Sequence, residues 1–265
     1  MVEAPGFRDG RQGHTWPWGI LDVLGAYLVM ALFPGVALAL LQNTSAGVKS
    51  LGTLVAEFLA LATILIWLRL RFSTTPLKQW FSATPSEGRD SRLARIGLGL
   101  LTGLIAIPII LRIHLISQIM TDYTHPTLDD LQNRVNLLLI VTQSFRAIVV
   151  ASVIEEVFYR GLLQGWLQRI QRQQFPSLES LLAGVDSQPQ KDDARPTAPS
   201  AWPILASATL FALAHLNLGA SAIPLFFFGL VLGYLFRRTG SLIPCIACHS
   251  LLNGYSIAVT LLGAS

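Results

Sequence analysis

Charged residues are scarce in this chain of 265 residues, where Asp, Glu, Lys and Arg together make up 13% of the sequence. A soluble globular domain carries about 25%. Hydrophobic residues make up 52%, and the mean hydropathy is +0.54. This composition argues against a soluble globular domain. The apolar residues also lie in long blocks, without the alternation expected of amphipathic helices or half-buried strands.

Cysteine is also rare, since the chain contains only Cys245 and Cys248. Two neighbouring cysteines in an apolar block exclude a disulfide framework. Together with His249 they match the C-x-x-C-H pattern of c-type haem attachment. We expect no haem, because that attachment occurs outside the cytoplasm, whereas the charge distribution places the start of this block at the cytoplasmic face. The sequence shows no internal repeat and no Gly-rich nucleotide-binding loop.

Seven apolar blocks are long enough, or nearly so, to cross a membrane as helices. We therefore predict an all-α fold, a polytopic transmembrane helix bundle with about seven spans and a range of six to eight. The shorter blocks require bilayer thinning or burial among neighbouring helices. A further half-buried helix fits within residues 113–134. The blocks are residues 18–41, 51–68, 96–111, 135–154 with a less apolar extension to about 170, 203–216, 222–236 and 242–262.

The basic residues are distributed unevenly among the loops. With seven spans and a cytoplasmic N-terminus, 14 of the 19 Lys and Arg residues lie on the cytoplasmic side, as the positive-inside rule expects. Many lie in two loops, residues 69–95 and 171–202, and the second loop is predicted to be flexible from its polar composition. The isoelectric point near 9.4 therefore reflects membrane topology. We expect a lipid bilayer as partner and no nucleic acid.

Three charged residues lie close together at the end of the fourth apolar block. They are Glu155, Glu156 and, four positions later, Arg160. Charges at membrane depth are rare and usually functional. Glu156 and Arg160 are four residues apart and can pair on one helix face. Glu155 is rotated by about 100° from Glu156. We therefore expect one carboxylate to be held in an ion pair while the other faces the bundle interior.

The later blocks add further polar side chains at membrane depth. His215 ends the stretch Phe211-Ala212-Leu213-Ala214-His215 and is the only ionisable residue of the fifth block. In the seventh block His249 and Asn253 are four residues apart and therefore share a helix face. Taken one at a time, such residues are more often helix contacts than catalysts. Their co-occurrence with Glu155 in apolar helices is typical of a water-activating site.

Three short motifs, in chain order, resemble the signature of the CPBP family, the CAAX-processing and bacteriocin-processing intramembrane proteases, also called the Abi family. Each motif alone is weak, whereas the ordered set in apolar helices is specific. The resemblance covers about residues 140–260, nearly half the chain. The motifs are Glu155-Glu156-x-x-x-Arg160, Phe211-x-x-x-His215 and His249-x-x-x-Asn253.

The resemblance implies a catalytic role for four residues. Glu155, the first glutamate of the pair, would activate a water molecule together with His215. His249 and Asn253 would bind the oxyanion of the tetrahedral intermediate. These roles agree with the helix positions of the four side chains, because each motif presents its polar residues from an apolar helix.

The resemblance also implies supporting residues and raises the question of a metal. Arg160 would hold Glu156 in place, and Phe211 is a supporting residue that packs in the second motif. The family is labelled as metalloproteases, and one glutamate with two histidines is a zinc set in other hydrolases. The HExxH pair of soluble zinc proteases is absent. The cofactor stays open: a divalent metal such as zinc is compatible with the site, but the preferred mechanism assigns no metal ligand.

We expect an enzyme of the CPBP type, a glutamate-dependent intramembrane endopeptidase acting on a peptide or protein substrate, lipidated or not. Eukaryotic relatives trim prenylated CAAX tails and bacterial relatives process peptides, so both substrate classes stay open. The alternative is a non-catalytic membrane scaffold or immunity protein of the same fold. The complete set of motif residues favours an enzyme. The lack of repeat symmetry argues against a transporter.

The chain divides into residues 1–135, with the N-terminal transmembrane helices and a basic cytoplasmic loop, and residues 136–265, the CPBP-like catalytic core, within one membrane domain overall. The expected location is a bacterial plasma or internal membrane, multi-pass, with a cytoplasmic N-terminus. Gly219-Ala220-Ser221 faintly resembles the Gly-x-Ser of rhomboid-type serine proteases. Ser221 is more simply explained as a helix N-cap.

Overall fold

The computed structural model describes residues 17–72, 89–119, 137–172, 178–184 and 200–263, and this part of the chain is helical without a β-sheet. The first three helices are α1 (Ile20–Leu40), α2 (Ala46–Arg71) and α3 (Arg89–Gln118). The last four are α5 (Leu178–Ala183), α6 (Trp202–Leu213), α7 (Ala222–Thr239) and α8 (Leu242–Gly263), with a 3₁₀ segment at Leu216–Ser221 between α6 and α7.

Helix α4 is continuous but irregular. It begins as Leu137–Phe145, has π-helical stretches at Arg146–Ala151 and Glu156–Gln164 with an α-helical turn Ser152–Glu155 between them, and ends as Gly165–Arg172. Such wide turns are uncommon and occur mostly at functional sites. All nine residues of the second stretch are buried. The motif Glu155-Glu156-x-x-x-Arg160 therefore lies on a buried part of α4.

Six helices of the described chain are long and apolar enough to cross a membrane. Helix α6, with 12 residues, is shorter than the length of about 20 residues that a full crossing needs. Each of the seven predicted blocks corresponds to one apolar helix, and the fifth block is this short one. The predicted all-α polytopic bundle is confirmed, and the protein is an integral multi-pass membrane protein.

Several predicted boundaries differ from the observed ones. Helix α3 extends beyond the predicted block at both ends and takes up the first part of the stretch 113–134, the rest of which lies outside the described residues. Helix α6 ends at Leu213, so His215 lies in the turn after the helix. The loop 171–202 contains the short helix α5, while residues 173–177 and 185–199 lie outside the described part. The predicted division of the chain at residue 135 stays a prediction.

A polar cluster joins the first helices to the end of α4. The Asp22 carboxylate lies 2.9 Å from Arg71 Nε and accepts a hydrogen bond from the Gly19 backbone N–H. Trp18 Nε1 donates to the Leu162 carbonyl at 3.0 Å. Arg169 Nη1 donates to the carbonyl oxygen of residue 17 at 3.1 Å. The start of α1 and the ends of α2 and α4 therefore meet at one face of the bundle.

The core surrounds α4 and includes residues from both halves of the chain. Phe211, Phe228 and Leu232 are completely buried there. Gly233 allows α7 to approach α4 and α6 closely, because a Cβ at this position would lie 2.8 Å from Ile204 Cγ2. Its carbonyl accepts a hydrogen bond from Gln164 Nε2 at 2.9 Å. This close packing holds α6 and α7 against the helix that carries the two glutamates.

Candidate active site

The two neighbouring glutamates of α4 point in different directions. Glu155 ends the α-helical turn and Glu156 begins the second π-helical stretch. The Glu155 side chain is 22% exposed, whereas the Glu156 side chain is fully buried. Sequence spacing predicted this divergence, because consecutive helix residues are rotated by about 100°.

Glu156 is the centre of a dry polar network. Arg160 Nε lies 3.2 Å from Glu156 Oε2, as an ion pair without hydrogen-bond alignment. His249 Nδ1 lies 2.9 Å from Glu156 Oε1. Ser207 Oγ of α6 contacts Arg160 Nη1 at 3.5 Å and donates to the Tyr159 carbonyl. Because buried charges need partners, this network connects α4, α6 and α8.

Glu155 has a more open environment, in which two imidazoles converge on one carboxylate oxygen. His215 Nε2 lies 3.9 Å from Glu155 Oε2, and His249 Nε2 lies 3.8 Å from the same atom. Both distances exceed the range of a direct hydrogen bond. Separations of this size suit a bridging water molecule. The structure thus brings together three of the four predicted catalytic side chains, from α4, the turn after α6, and α8.

The second ring nitrogen of each histidine is held by a different acceptor. His215 Nδ1 lies 2.7 Å from the Phe211 carbonyl oxygen. Because a carbonyl only accepts, Nδ1 carries a proton, and in the neutral ring Nε2 presents a lone pair to Glu155. His249 Nδ1 donates instead to the Glu156 carboxylate. Such contacts at the far nitrogen orient an imidazole ring, so both Nε2 atoms are directed at Glu155.

Aromatic rings form the apolar wall of the site. Phe211 is completely buried, and its ring centroid lies 4.8 Å from that of His215 and 6.0 Å from that of His249. The Arg160 guanidinium lies 5.2 Å from the Phe211 ring. Phe228 of α7 contacts His249 at 5.5 Å. This wall lowers the local dielectric, which strengthens electrostatic interactions within the site.

Asn253 lies one turn after His249 and contacts the first π-helical stretch of α4. Its Nδ2 donates to the Ala147 carbonyl at 2.8 Å and to Ser152 Oγ at 3.3 Å. Both amide protons therefore have acceptors on α4. Oxyanion binding by Asn253 stays a prediction, and it requires the amide to release one of these acceptors.

Sequence reasoning did not assign a role to Ser207, Glu57 or Gln143. Ser207 connects Arg160 to the Tyr159 carbonyl, and a serine in an apolar helix gives no specific signal. Glu57 of α2 lies 2.7 Å from Arg146 of α4. The rule that ionisable residues at membrane depth are functional would have selected this pair from the sequence.

Among the residues that the structure describes, no group of three or more His, Cys, Asp or Glu side chains has an arrangement that holds a metal. The Nδ1 atoms of both histidines are engaged by Phe211 and Glu156, and both Nε2 atoms face Glu155. Glu155 and the two imidazoles by themselves supply the proton acceptors and donors of a hydrolytic step.

Ser221 occupies the N-cap position of α7 without the expected capping contact. It has helical backbone angles, and its side chain makes no cap hydrogen bond. The prediction that Ser221 is a helix N-cap residue is therefore confirmed in position, although its hydroxyl makes no cap hydrogen bond.

The six apolar spans and the ionisable groups between them define an integral membrane protein with a polar site inside its helix bundle. Residues 137–255 match the family described as type II CAAX prenyl endopeptidase Rce1-like. The chain therefore carries a domain of this CPBP (Abi) family, and the matched segment includes all three motifs. No curated protein and no solved structure gives a significant match to the chain.

Proposed function

We propose that this protein is an intramembrane endopeptidase in which Glu155 and His215 activate the attacking water. The observation that carries the proposal is the convergence of two imidazole Nε2 atoms within 3.9 Å of Glu155 Oε2. A water bound between Glu155 and His215 has two proton acceptors of the kind that general-base catalysis uses.

The hydrolytic step follows from this placement. The water oxygen attacks the scissile carbonyl carbon and forms a C–O bond, while the water proton passes to the Glu155–His215 pair. The carbonyl electrons move onto oxygen and give a tetrahedral oxyanion. When the intermediate collapses, the C–N bond breaks and the same pair returns the proton to the leaving amine.

His249 is proposed as the residue that stabilises the oxyanion. The Glu156 carboxylate holds its ring from the Nδ1 side, and in the doubly protonated ring Nε2–H is a donor directed into the site. Preorganised donors of this kind account for much of the rate enhancement in acyl-transfer enzymes. Asn253 is proposed as a second stabiliser, and through Ala147 it also fixes α4 against α8.

The proposed substrate is a peptide or protein whose scissile bond reaches the bilayer interior. The printed description of the matched family, CAAX prenyl endopeptidase, supports a lipidated C-terminal segment as the first class to test. An attached lipid would lie in the bilayer and lead the peptide between the spans. Processing of other membrane-associated peptides is the second class.

We propose that the polar face of the bundle at the start of α1 is cytoplasmic. Arg71 and Arg169 both lie at this face, next to Asp22 and the residue-17 carbonyl. Arg237 in the last turn of α7 donates to the Ser200 carbonyl just before α6. Basic residues at helix ends on one side follow the positive-inside rule.

The test is hydrolysis of a farnesylated peptide ending in Cys-Val-Leu-Leu by purified protein in lipid nanodiscs. Wild type is compared with Glu155→Gln, and release of the C-terminal tripeptide is measured by mass spectrometry. Glu179→Gln is the matched control, because it makes the same change at an exposed carboxylate of α5. We expect cleavage by wild type and Glu179→Gln and none by Glu155→Gln.

The scaffold alternative predicts a different result. A non-catalytic protein would show no cleavage of this peptide or of a library of membrane-associated peptides, with or without Glu155. Cleavage that continues at the wild-type rate in Glu155→Gln would contradict the proposed site.

A further inference from the structure

A second arginine–carboxylate pair lies at membrane depth outside the three motifs. Arg146 of α4 and Glu57 near the middle of α2 are joined by a contact of 2.7 Å between Nε and Oε1. Both residues lie within candidate membrane spans. Ionisable residues at this depth almost always face the bundle interior or a water-filled cavity.

The Arg146 guanidinium is only partly used within the protein. A guanidinium has five N–H donors. Nε donates to Glu57, and Nη1 donates to Gln143 Oε1 at 3.3 Å. No other residue in the described ranges accepts a hydrogen bond from Arg146, and its side chain is 33% exposed. Glu57 and Gln143 therefore hold Nε and Nη1, while Nη2 has no acceptor among the described residues and is available to a ligand.

An ion pair that only joins two helices would be the simpler explanation. Helices α2 and α4 are, however, already joined by the uncharged hydrogen bond between Ser50 Oγ and Thr142 Oγ1 at 2.8 Å. The structure also contains an anchoring pair, Arg71 with Asp22, in which Arg71 Nη2 is bound to the Ala183 carbonyl. Arg146 differs from Arg71 because its terminal nitrogens face no backbone acceptor among the described residues.

The position of Arg146 relative to Glu155 matches the length of a short C-terminal peptide. The two residues are nine positions apart on α4, and because Arg146–Ala151 is π-helical, their separation along the helix axis is at most about 13 Å. A CAAX sequence has three residues after its cysteine, and three extended residues span about 10 Å. A leaving tripeptide is therefore comparable in length to the separation of Glu155 and Arg146 along α4.

We propose that Arg146 forms a binding subsite for the C-terminal carboxylate of the substrate, held in position by Glu57. This inference rests on the proposed endopeptidase function and adds a specificity determinant to it. Arg is suited to the role because its planar fork binds carboxylates with two parallel hydrogen bonds. The subsite would select peptides that end a few residues after the cleaved bond, and it gives the N-terminal helix α2 a part in specificity.

Glu57 orients the Arg146 guanidinium as well as pairing with its charge. Its Oε1 binds Arg146, whereas its buried Oε2 has no hydrogen-bond partner among the described residues. Arg146 also directly precedes Ala147, whose carbonyl binds Asn253.

The experiment compares two forms of one peptide. A farnesylated peptide ending in Cys-Val-Leu-Leu is prepared as the free acid and as the C-terminal amide, and kcat/KM is measured for both. Wild type should prefer the acid by about tenfold or more, the range expected for a charge-assisted hydrogen bond. In Arg146→Gln the ratio of acid to amide should fall to about one. Glu57→Gln should lower the ratio to an intermediate value.

Arg71→Gln is the matched control, because it removes an arginine–carboxylate pair of similar geometry and exposure at the far end of α2. It should retain the wild-type ratio even where the protein is less stable. A wild-type ratio near one, or an unchanged ratio in folded Arg146→Gln, would overturn the subsite. Failure of the proposed function is distinct, since it would appear as undiminished cleavage by Glu155→Gln.

A binding measurement covers the case in which neither peptide is cleaved. The tripeptide Val-Leu-Leu, as free acid and as amide, is titrated into wild type and Arg146→Gln while the unfolding temperature is followed. The acid should stabilise wild type more than the amide does, and this difference should be lost in Arg146→Gln. Equal stabilisation by both tripeptides, or none, would overturn the proposal.

Discussion

Glu155 and Glu156 are neighbours in the chain but belong to two different regions of the bundle. Glu156 is fully buried between Arg160 and His249, and each of its oxygens has a charged or polar neighbour within 3.2 Å. Glu155 is 22% exposed, and its nearest polar groups are two imidazoles at 3.8 and 3.9 Å. One carboxylate is fixed by direct contacts, whereas the other is surrounded by groups that leave room for a reactant.

This difference teaches how a membrane bundle separates structure from chemistry. A buried carboxylate with strong partners contributes to stability only while those partners remain. A partly exposed carboxylate without direct partners contributes little to packing and stays available for proton transfer. Substitution of Glu155 should therefore change mainly the cleavage rate, whereas substitutions at Glu156 and its buried partners should change mainly the free energy of unfolding.

The largest expected effect is the loss of kcat on substitution of the partly exposed Glu155. Glu155→Gln should lower kcat by about a thousandfold, because in the proposed mechanism it removes the proton acceptor of the attacking water. The unfolding temperature should change little, since Glu155 has no direct hydrogen-bond partner among the described residues. Steady-state cleavage and thermal unfolding of the same preparations measure both. A large loss of stability in this variant would show that Glu155 also contributes to the packing of the bundle.

His249 lies next to both glutamates, so its substitution should lower both kcat and the stability of the protein. His249→Gln should lower kcat by about a hundredfold, in the range found when one oxyanion donor is removed. It should also destabilise the protein, because the Glu156 carboxylate loses its 2.9 Å partner. His215→Gln provides the comparison, since its Nδ1 contacts only a backbone carbonyl. Equal stability losses in both variants would contradict this prediction.

Substitutions in the buried network around Glu156 should change mainly the free energy of unfolding. Arg160→Met leaves the buried Glu156 carboxylate with His249 as its remaining partner, and breaking a buried ion pair costs about 3 kcal/mol in the free energy of unfolding. The double variant Glu156→Gln with Arg160→Met removes both charges and should recover part of this loss. Reversible unfolding in mixed micelles, analysed as a double-mutant cycle, gives the coupling between the two residues. A double variant less stable than either single variant would contradict the buried-pair explanation.

Asn253 should have a smaller effect. Asn253→Ala leaves the Ala147 carbonyl without its side-chain donor, which costs about 1 kcal/mol. Ser256→Ala is a suitable control, because Ser256 also lies on α8 but donates to its own helix. Unfolding temperatures of the two variants are compared first, and kcat second. A loss of kcat in Asn253→Ala without loss of stability would support oxyanion binding over helix positioning.

The smallest expected effect is that of metal removal. Incubation with 1,10-phenanthroline or EDTA should leave the cleavage rate of wild type unchanged, because the proposed mechanism assigns the proton transfers to Glu155 and His215. Metal content by mass spectrometry and the cleavage rate are measured on the same sample. Loss of activity that zinc restores would contradict the metal-independent step.

The sequence predicted much of this architecture through simple physical constraints. Long apolar blocks predicted the helices, because only helices satisfy their own backbone polar groups in lipid. The i, i+4 spacing of Glu156 and Arg160 predicted their pairing. The spacing could not predict that α6 ends before His215, since the helix and the turn have the same apolar composition.

The sequence by itself determined the membrane class, the family resemblance and the identity of the polar residues inside the bundle. Only the tertiary structure decided which of these residues meet. It brings His215 and His249 to one oxygen of Glu155, directs Asn253 to Ala147, and pairs Arg146 with Glu57. The physical reason is that helix periodicity fixes neighbours within a helix, whereas contacts between helices depend on side-chain packing that no local pattern records.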